Sequence, residues 1–503
     1  MMNVNNISKN EVNFKSGIGT LYKALYTLGN NDMLNASAID VFAMDTPRTI
    51  VEFKNRGQNA GIEMGFREYT GTFIAEFSAA VFALIASKVF SKFYKPDIKV
   101  NSNSWATNNA IDTFSDIFKK SSDNLHDFVK NTLNSIKGVS GKKIVSFSDV
   151  SEDKSKLIID SLTSLITNKS LDKKKSKQVT ESVKTAIIDS IGADNTIILS
   201  SGKNCVKSNL SHMLRDTVDL GKNVFFNEQN SKRIPETLNK LKSMNKSRIA
   251  LAIPLSMGLA ITNQYINRKL TKKRTGIDNF VGENGYEQNI QNNNEKKKEN
   301  GLFAKKLLSA GIFLAMLTKV MDIKKPIDLI NKLEFDGPAT GGNAIKTIYG
   351  TLILGRIFAS KNSTELRETT LRDYSGFLSW LVLGGFVAKG VGQLLDPKQN
   401  NLFNVSKEGK GVSHWLKDVS LKSQKEIIAQ GGNISKNLKN LNIAQLSGIA
   451  YSAVMLGVLL PKLNISMTKH SEKKQDKKYI SQFLIENTFA KFDKEISLNS
   501  KKQ

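Results

Sequence analysis

Read for runs without charge, the chain divides into oily stretches separated by polar connections. Six stretches stand out: Gly71–Ser87, Ile249–Ile266, Leu307–Met321, Ala344–Ser360, Gly376–Leu395 and Asn440–Pro461. The hydrocarbon layer of a bilayer is about 30 Å thick and takes roughly 20 helical residues to cross, with about 17 as a lower limit. The second, fifth and sixth stretches meet that length, and the first, interrupted only by Glu76, nearly does. The third and fourth carry Lys319, Lys346 and Arg356. Long basic side chains near helix ends can reach the headgroups, although buried helices of a water-soluble protein give the same pattern. The fold class this implies is all-α: a helical integral membrane protein with four to six spans.

Small residues point the same way. Ala75, Ala79, Ala83 and Ser87 recur every fourth position, as do Gly384, Ala388 and Gly392, and Gly311 with Ala315. Each set forms a narrow stripe that lets helix backbones approach in lipid, within one chain or between copies in a homo-oligomer. A glycine inside a helix costs about 1 kcal/mol in water, so the glycines of the fifth stretch fit a bilayer better.

The polar pattern sets the domain boundaries. Residues 1–95 form an N-terminal region holding the first stretch. Residues 96–247 form a hydrophilic domain in which Ile111, Phe114, Phe118, Leu125, Phe128, Val129, Leu133 and Ile136 follow a three-to-four spacing, read as amphipathic helices outside the bilayer. Lys143–Phe147 and Thr196–Leu199 are short candidate strands within it. The apolar segment 248–270 leads into a linker, 271–301, that is poor in apolar residues, contains Ile-Gln-Asn-Asn-Asn-Glu-Lys-Lys-Lys-Glu-Asn, and is expected to be disordered. Three apolar stretches fill 302–396, a polar connection covers 397–439, the last stretch lies in 440–461, and a basic tail with an amphipathic pattern around Tyr479–Phe492 occupies 462–503. The second stretch is basic on both flanks, which one crossing helix cannot reconcile with basic flanks staying cytoplasmic.

The two parts of the chain echo each other. Arg67-Glu68-Tyr69-Thr70-Gly71 enters the first apolar stretch, and Arg372-Asp373-Tyr374-Ser375-Gly376 enters the fifth. At the exits of the second and sixth stretches stand Asn267-x-x-x-Thr271-Lys272 and Asn464-x-x-x-Thr468-Lys469. The order of the motifs is the same in both, as expected of two unequal, duplicated halves with 96–247 inserted in the first. The first motif suits a membrane interface: tyrosine prefers that depth and arginine pairs with phosphate. It also suits a charged helix–helix clamp repeated by symmetry. Charges at membrane depth are costly unless paired or hydrated. That makes Glu76, Arg356 and Lys389 candidate intramembrane charges, with the two cations as candidate partners of Glu76.

Charge then narrows the partners. There are 73 Lys and Arg against 46 acids, a net +27, and residues 88–248 alone hold 28 basic and 17 acidic residues. Such a balance draws the chain to an anionic surface. The basic residues are dispersed and the aromatic ones sit in the apolar stretches, so lipid headgroups fit better than nucleic acid. Candidate chemistry adds little. The single cysteine, Cys205, and four histidines build neither a disulfide framework nor a metal cluster. No phosphate loop, zinc-hydrolase helix or nucleophile elbow is present, so no catalytic, cofactor-binding or metal-binding residue is assigned. The polar first residues contain no cleavable signal, which fits insertion by internal segments, as in a bacterial inner membrane. The resulting expectation is a non-enzymatic membrane component, structural or transport-like, with a basic domain against anionic lipid. Two alternatives stand beside it: a secreted pore-forming or host-directed protein, and a soluble basic protein binding nucleic acid.

Overall fold

A computed structural model describes residues 38–96, 106–168, 173–227, 233–276, 301–321, 323 and 342–470. The structure is mostly helical, and two of its helices, Ile234–Thr275 and Ile434–His470, are long and apolar enough to cross a membrane. Residues 1–37, most of the linker 271–301 and the amphipathic pattern around Tyr479–Phe492 lie outside the described residues.

The described residues open on π-helical turns, Ile39–Asp45, that continue as α1 (Thr46–Arg56), with Pro47 in its first turn. The helix is continuous across this boundary, and Pro47, which lacks an N–H to donate, falls where the π-helical turns give way to α-helix. Gly57 breaks the helix at a φ of 90°, a conformation open to glycine, and α2 (Gln58–Tyr94) follows. A globular domain comes next. It consists of α3 (Asn108–Lys119), α4 (Leu125–Asn134), β1 (Ile136–Ser140), β2 (Lys143–Ser146), α5 (Glu152–Thr167), α6 (Lys173–Ile191), β3 (Ile197–Ser201), β4 (Asn204–Ser208) and α7 (Leu210–Leu220). The strands form one antiparallel sheet in the order β2-β1-β3-β4.

The domain therefore differs from the helical expectation for 96–247. The helical spacing does mark its core: Ile111, Phe114, Phe118, Phe128, Val129, Leu133 and Ile136 are all buried there. Between the helices run Ile-Lys-Gly-Val-Ser and Ile-Ile-Leu-Ser-Ser, and the second has the alternating burial of a strand packed on one face. Of the two strand expectations, Lys143–Phe147 becomes β2 and Thr196–Leu199 becomes β3. β1 and β4, their partners, lack a distinctive apolar run.

The long helix α8 (Ile234–Thr275) starts inside this domain, with Leu238, Leu241 and Met244 in its core. It then leaves as the second apolar stretch, with Pro254 in its interior. It continues through Thr275, so the first residues of the expected linker are helical. After it come α9 (Leu302–Val320), α10 (Gly342–Ala359), α11 (Ser363–Leu378), capped by the Asn362 side chain, a π-helical stretch Ser379–Leu383, and α12 (Gly384–Leu395).

The polar connection 397–439 is a small ordered insert. It holds β5 (Phe403–Val405), α13 (Val412–Asp418), β6 (Val419–Leu421), paired with β5, and α14 (Gln424–Gln430), closed by a Ser423/Glu426 capping box. The last element, α15 (Ile434–Val454), continues through π-helical turns, Met455–Leu459, to His470.

The small insert docks on the globular domain. Glu426 Oε1 accepts from the backbone N–H of Asp194 and Asn195 at 2.7 and 3.2 Å, and the Val405 N–H donates to the Gly141 carbonyl at 2.6 Å. Both inserts thus form one cap on the bundle. It lies where α2 and α12 end and where α8 and α15 begin.

Candidate functional site

At the end of the bundle away from the cap, the two arginine–acid–tyrosine motifs meet. α2 carries Arg67 and Glu68, α11 carries Arg372 and Asp373, and all four are at least 95% buried. Arg48 of α1 pairs with Glu68 at 3.1 Å, and Arg356 of α10 pairs with Asp373 at 3.3 Å. Arg372 spans the two motifs: its Nε is 2.9 Å from Asp373 and 3.7 Å from Glu68. Arg67 donates to the Thr369 hydroxyl at 3.1 Å. Asp45 lies beside them and accepts from the Thr72 hydroxyl at 2.8 Å.

Buried charges survive only when paired and hydrogen-bonded, and these groups shift one another accordingly. Burial would raise the Glu68 carboxyl, but Arg48, Arg372, Arg356 and Arg67 together hold it below the usual carboxylate range. Asp45 has weaker cationic support. Burial and the neighbouring Glu68 push its carboxyl up to about 7.

The glycine that ends each motif has a steric reason. A Cβ at Gly71 would collide with the Arg356 guanidinium, and one at Gly376 would stand 3.4 Å from Arg48 Nη2. Each arginine therefore pairs with the acid of its own part of the chain and lies against the glycine of the other part.

The second motif packs on the first, and in the same manner twice. Asn267 Nδ2 donates to the Glu63 carbonyl at 3.4 Å, and Asn464 Nδ2 donates to the Glu368 carbonyl at 3.4 Å. Glu63 and Glu368 lie four residues ahead of Arg67 and Arg372, so one turn separates each pair. Thr271 and Thr468 are both buried, the latter bonded to the Glu368 carboxylate. A third correspondence lies deeper. Ala260 of α8 packs with Ile348 and Leu352 of α10, while Gly457 lies against Ala43 and Pro47 at the start of α1. Each late helix thus crosses the first helix of the other part.

The other sequence-derived residues are placed as follows. Tyr69 is 39% exposed and contacts the Thr46 hydroxyl at 2.7 Å, whereas the Tyr374 hydroxyl donates to the Ser309 carbonyl. The charged members of the motif are turned inward, into ion pairs, where an interfacial anchor would present them to headgroups. Glu76 lies within α2, and its side chain is outside the described residues. The expected partners of Glu76 are engaged elsewhere: Arg356 with Asp373, and Lys389 with the Trp415 carbonyl and the face of the Trp415 ring at 4.3 Å.

The stripe Gly384, Ala388, Gly392 faces α15 of the same chain, where Gly448 would bring a Cβ to 2.6 Å from the Gly384 carbonyl. Gly311 has open space around it. The side chains of Ala75, Ala79, Ala83 and Ser87 are outside the described residues.

Sequence reasoning missed Asp45, Arg48, Glu63 and Glu368. The two glutamates were within reach, since each precedes its motif arginine by one helical turn. Arg48 and Asp45 sit in a polar N-terminal region with no periodic signal. Also missed was Arg268, which binds the Ala359 carbonyl at 2.7 Å and the Glu365 carboxylate, fastening the end of α8 to the turn between α10 and α11. Among the described residues, no group of three or more His, Cys, Asp or Glu is placed to hold a metal ion. No family model matches this chain, and no curated protein or solved structure is similar to it.

Proposed function

We propose that the chain is a non-enzymatic integral membrane protein, structural or transport-like, built from two duplicated halves that run parallel through the bilayer. In this reading each half supplies a short first helix, a long helix and a second long helix. The halves are α1, α2 and α8, then α10, α11–α12 and α15, with α9 added at the side. The apolar stretches within them make four to six spans. The basic cap stands outside the bilayer and faces anionic headgroups.

The observation that carries this reading is the reversal of inside and outside along the bundle. Four arginines and three acids are packed between the helices, while large apolar side chains point away from them. Phe73, Leu308, Ile312 and Val454 are each more than half exposed. The apolar windows of the two longest candidate spans are only 29% and 33% buried, whereas a helix at the core of a soluble protein is mostly buried. An apolar face of that extent is stable in hydrocarbon and prone to association in water. The recurrence of the Asn–Glu contact, the Arg–acid pair and the late-helix crossing in both halves supports duplication. The parallel sense follows from both inserts lying at the same end.

Alkaline carbonate extraction of cell membranes tests the reading, followed by protease mapping of the cap. The protein is expected to stay in the pellet, with cleavage confined to one side of sealed vesicles. Recovery in the carbonate supernatant would remove the basis for it.

A further inference from the structure

We propose that the cleft between the two motifs is a binding site for one small monovalent anion, held by the guanidinium groups of Arg48, Arg356 and Arg372. The three arginines line a cavity together with Glu68, Asp373 and Trp380. Three cations against two carboxylates leave one positive charge over.

The surplus is matched by idle donors. Arg48 and Arg372 are 97% and 95% buried, and among the described residues the Nη2 of each has no hydrogen-bond partner, nor have Glu68 Oε1 and Asp373 Oδ2 across the cleft. A buried donor left unmade costs about 1–3 kcal/mol, more when it is charged, so a chain holding two of them beside an uncompensated charge gains from an acceptor that is also an anion. Guanidinium is suited to the task, being always charged, weakly hydrated and rich in donors.

Two features of the cleft set the class of ligand. Glu68 and Asp373 on the same wall repel any anion carrying more charge than the single surplus, which disfavours phosphate and sulfate. Apart from Thr72 and Tyr349 the rest of the lining is apolar, including Met44, Leu352 and Phe377, which favours an anion that sheds water easily: a halide or a small carboxylate. The motif glycines serve the site directly, because a side chain at Gly71 or Gly376 would occupy the space beside Arg356 Nη2 and Arg48 Nη2. This inference goes beyond the membrane reading and does not depend on it, since the site is formed by side chains inside the bundle.

Trp380 in the lining gives a direct readout. The full chain carrying Trp105→Phe and Trp415→Phe, purified in detergent, is titrated with sodium iodide at constant ionic strength, with gluconate as the bulky balancing anion. Iodide bound in the cleft quenches Trp380, so the expected curve saturates, and added chloride or formate reverses it. Whichever of those two reverses it at lower concentration identifies halide or carboxylate as the preferred ligand. Arg48→Gln should weaken apparent iodide binding at least tenfold, and Asp373→Asn, which enlarges the surplus, should tighten it. Quenching that rises linearly without saturation in the parent overturns the proposal. So does a saturating curve that neither substitution moves.

Discussion

At the scale of single residues, the molecule is governed by a few buried charges whose partners lie far apart in sequence. Arg372 serves two acids from distant parts of the chain, and replacing it with alanine leaves Glu68 and Asp373 buried beside one cation fewer. Breaking a buried pair from one side costs about 3–5 kcal/mol, so Arg372→Ala should lower the thermal unfolding midpoint sharply in detergent. An unchanged midpoint would mean that the cluster contributes little to stability. Asp45 gives a pH signature. Its carboxyl is raised from 3.8 to about 7 in the folded chain, so the fold keeps a proton that the unfolded chain releases. Stability therefore falls as pH rises from 3.8 to about 7 and levels off above that. Asp45→Asn should flatten the slope over this window, and parallel curves for parent and variant would contradict the assignment. The sequence made Arg67, Glu68, Arg372 and Asp373 visible because they recur beside apolar stretches. It could not reveal that Arg48 joins them, because a partner twenty residues away in a polar segment leaves no periodic trace. Arg356 and Lys389 were noticed for the right reason, as charges within oily stretches, but their partners are set by tertiary packing.

At the scale of elements, helix positions were legible from apolar runs and helical spacing, whereas contacts between helices were not. The Gly384–Ala388–Gly392 stripe announced a close helix approach, and its partner is α15 of the same chain. Strands were only half legible. β3 alternates visibly, but β1 and β4 are short, and their place in the sheet comes from pairing rather than local pattern. The crossing of α15 with the start of α1 supplies a test at this scale. A methyl at Gly457 would come 2.6 Å from Pro47 Cβ and 2.8 Å from the Ala43 carbonyl oxygen, and neither obstacle is a flexible side-chain end. Gly457→Ala should destabilise by about 1–3 kcal/mol through overpacking. Gly385→Ala, with nothing within 4 Å of its Cβ, should be neutral or gain up to about 1 kcal/mol from helix propensity. Equal midpoints for the two variants would show that the crossing is looser than the contacts imply.

At the scale of the whole molecule, two sequence echoes became a set of repeated contacts between paired helices. The polar inserts, different in size and structure, come together as one cap. The account rests on the large apolar side chains around the bundle facing hydrocarbon. Electron paramagnetic resonance on reconstituted vesicles measures this most directly, with Cys205 replaced by serine and a spin label placed in turn at Ile312, Val454 and Ile144. All three positions are exposed, the first two on the apolar helices and the last on β2 of the cap. Labels at Ile312 and Val454 should collide with dissolved oxygen far more often than with a water-soluble nickel chelate, and the label at Ile144 should show the reverse. If the nickel chelate reaches Ile312 and Val454 as readily as it reaches Ile144, the bundle stands in water and the account is contradicted.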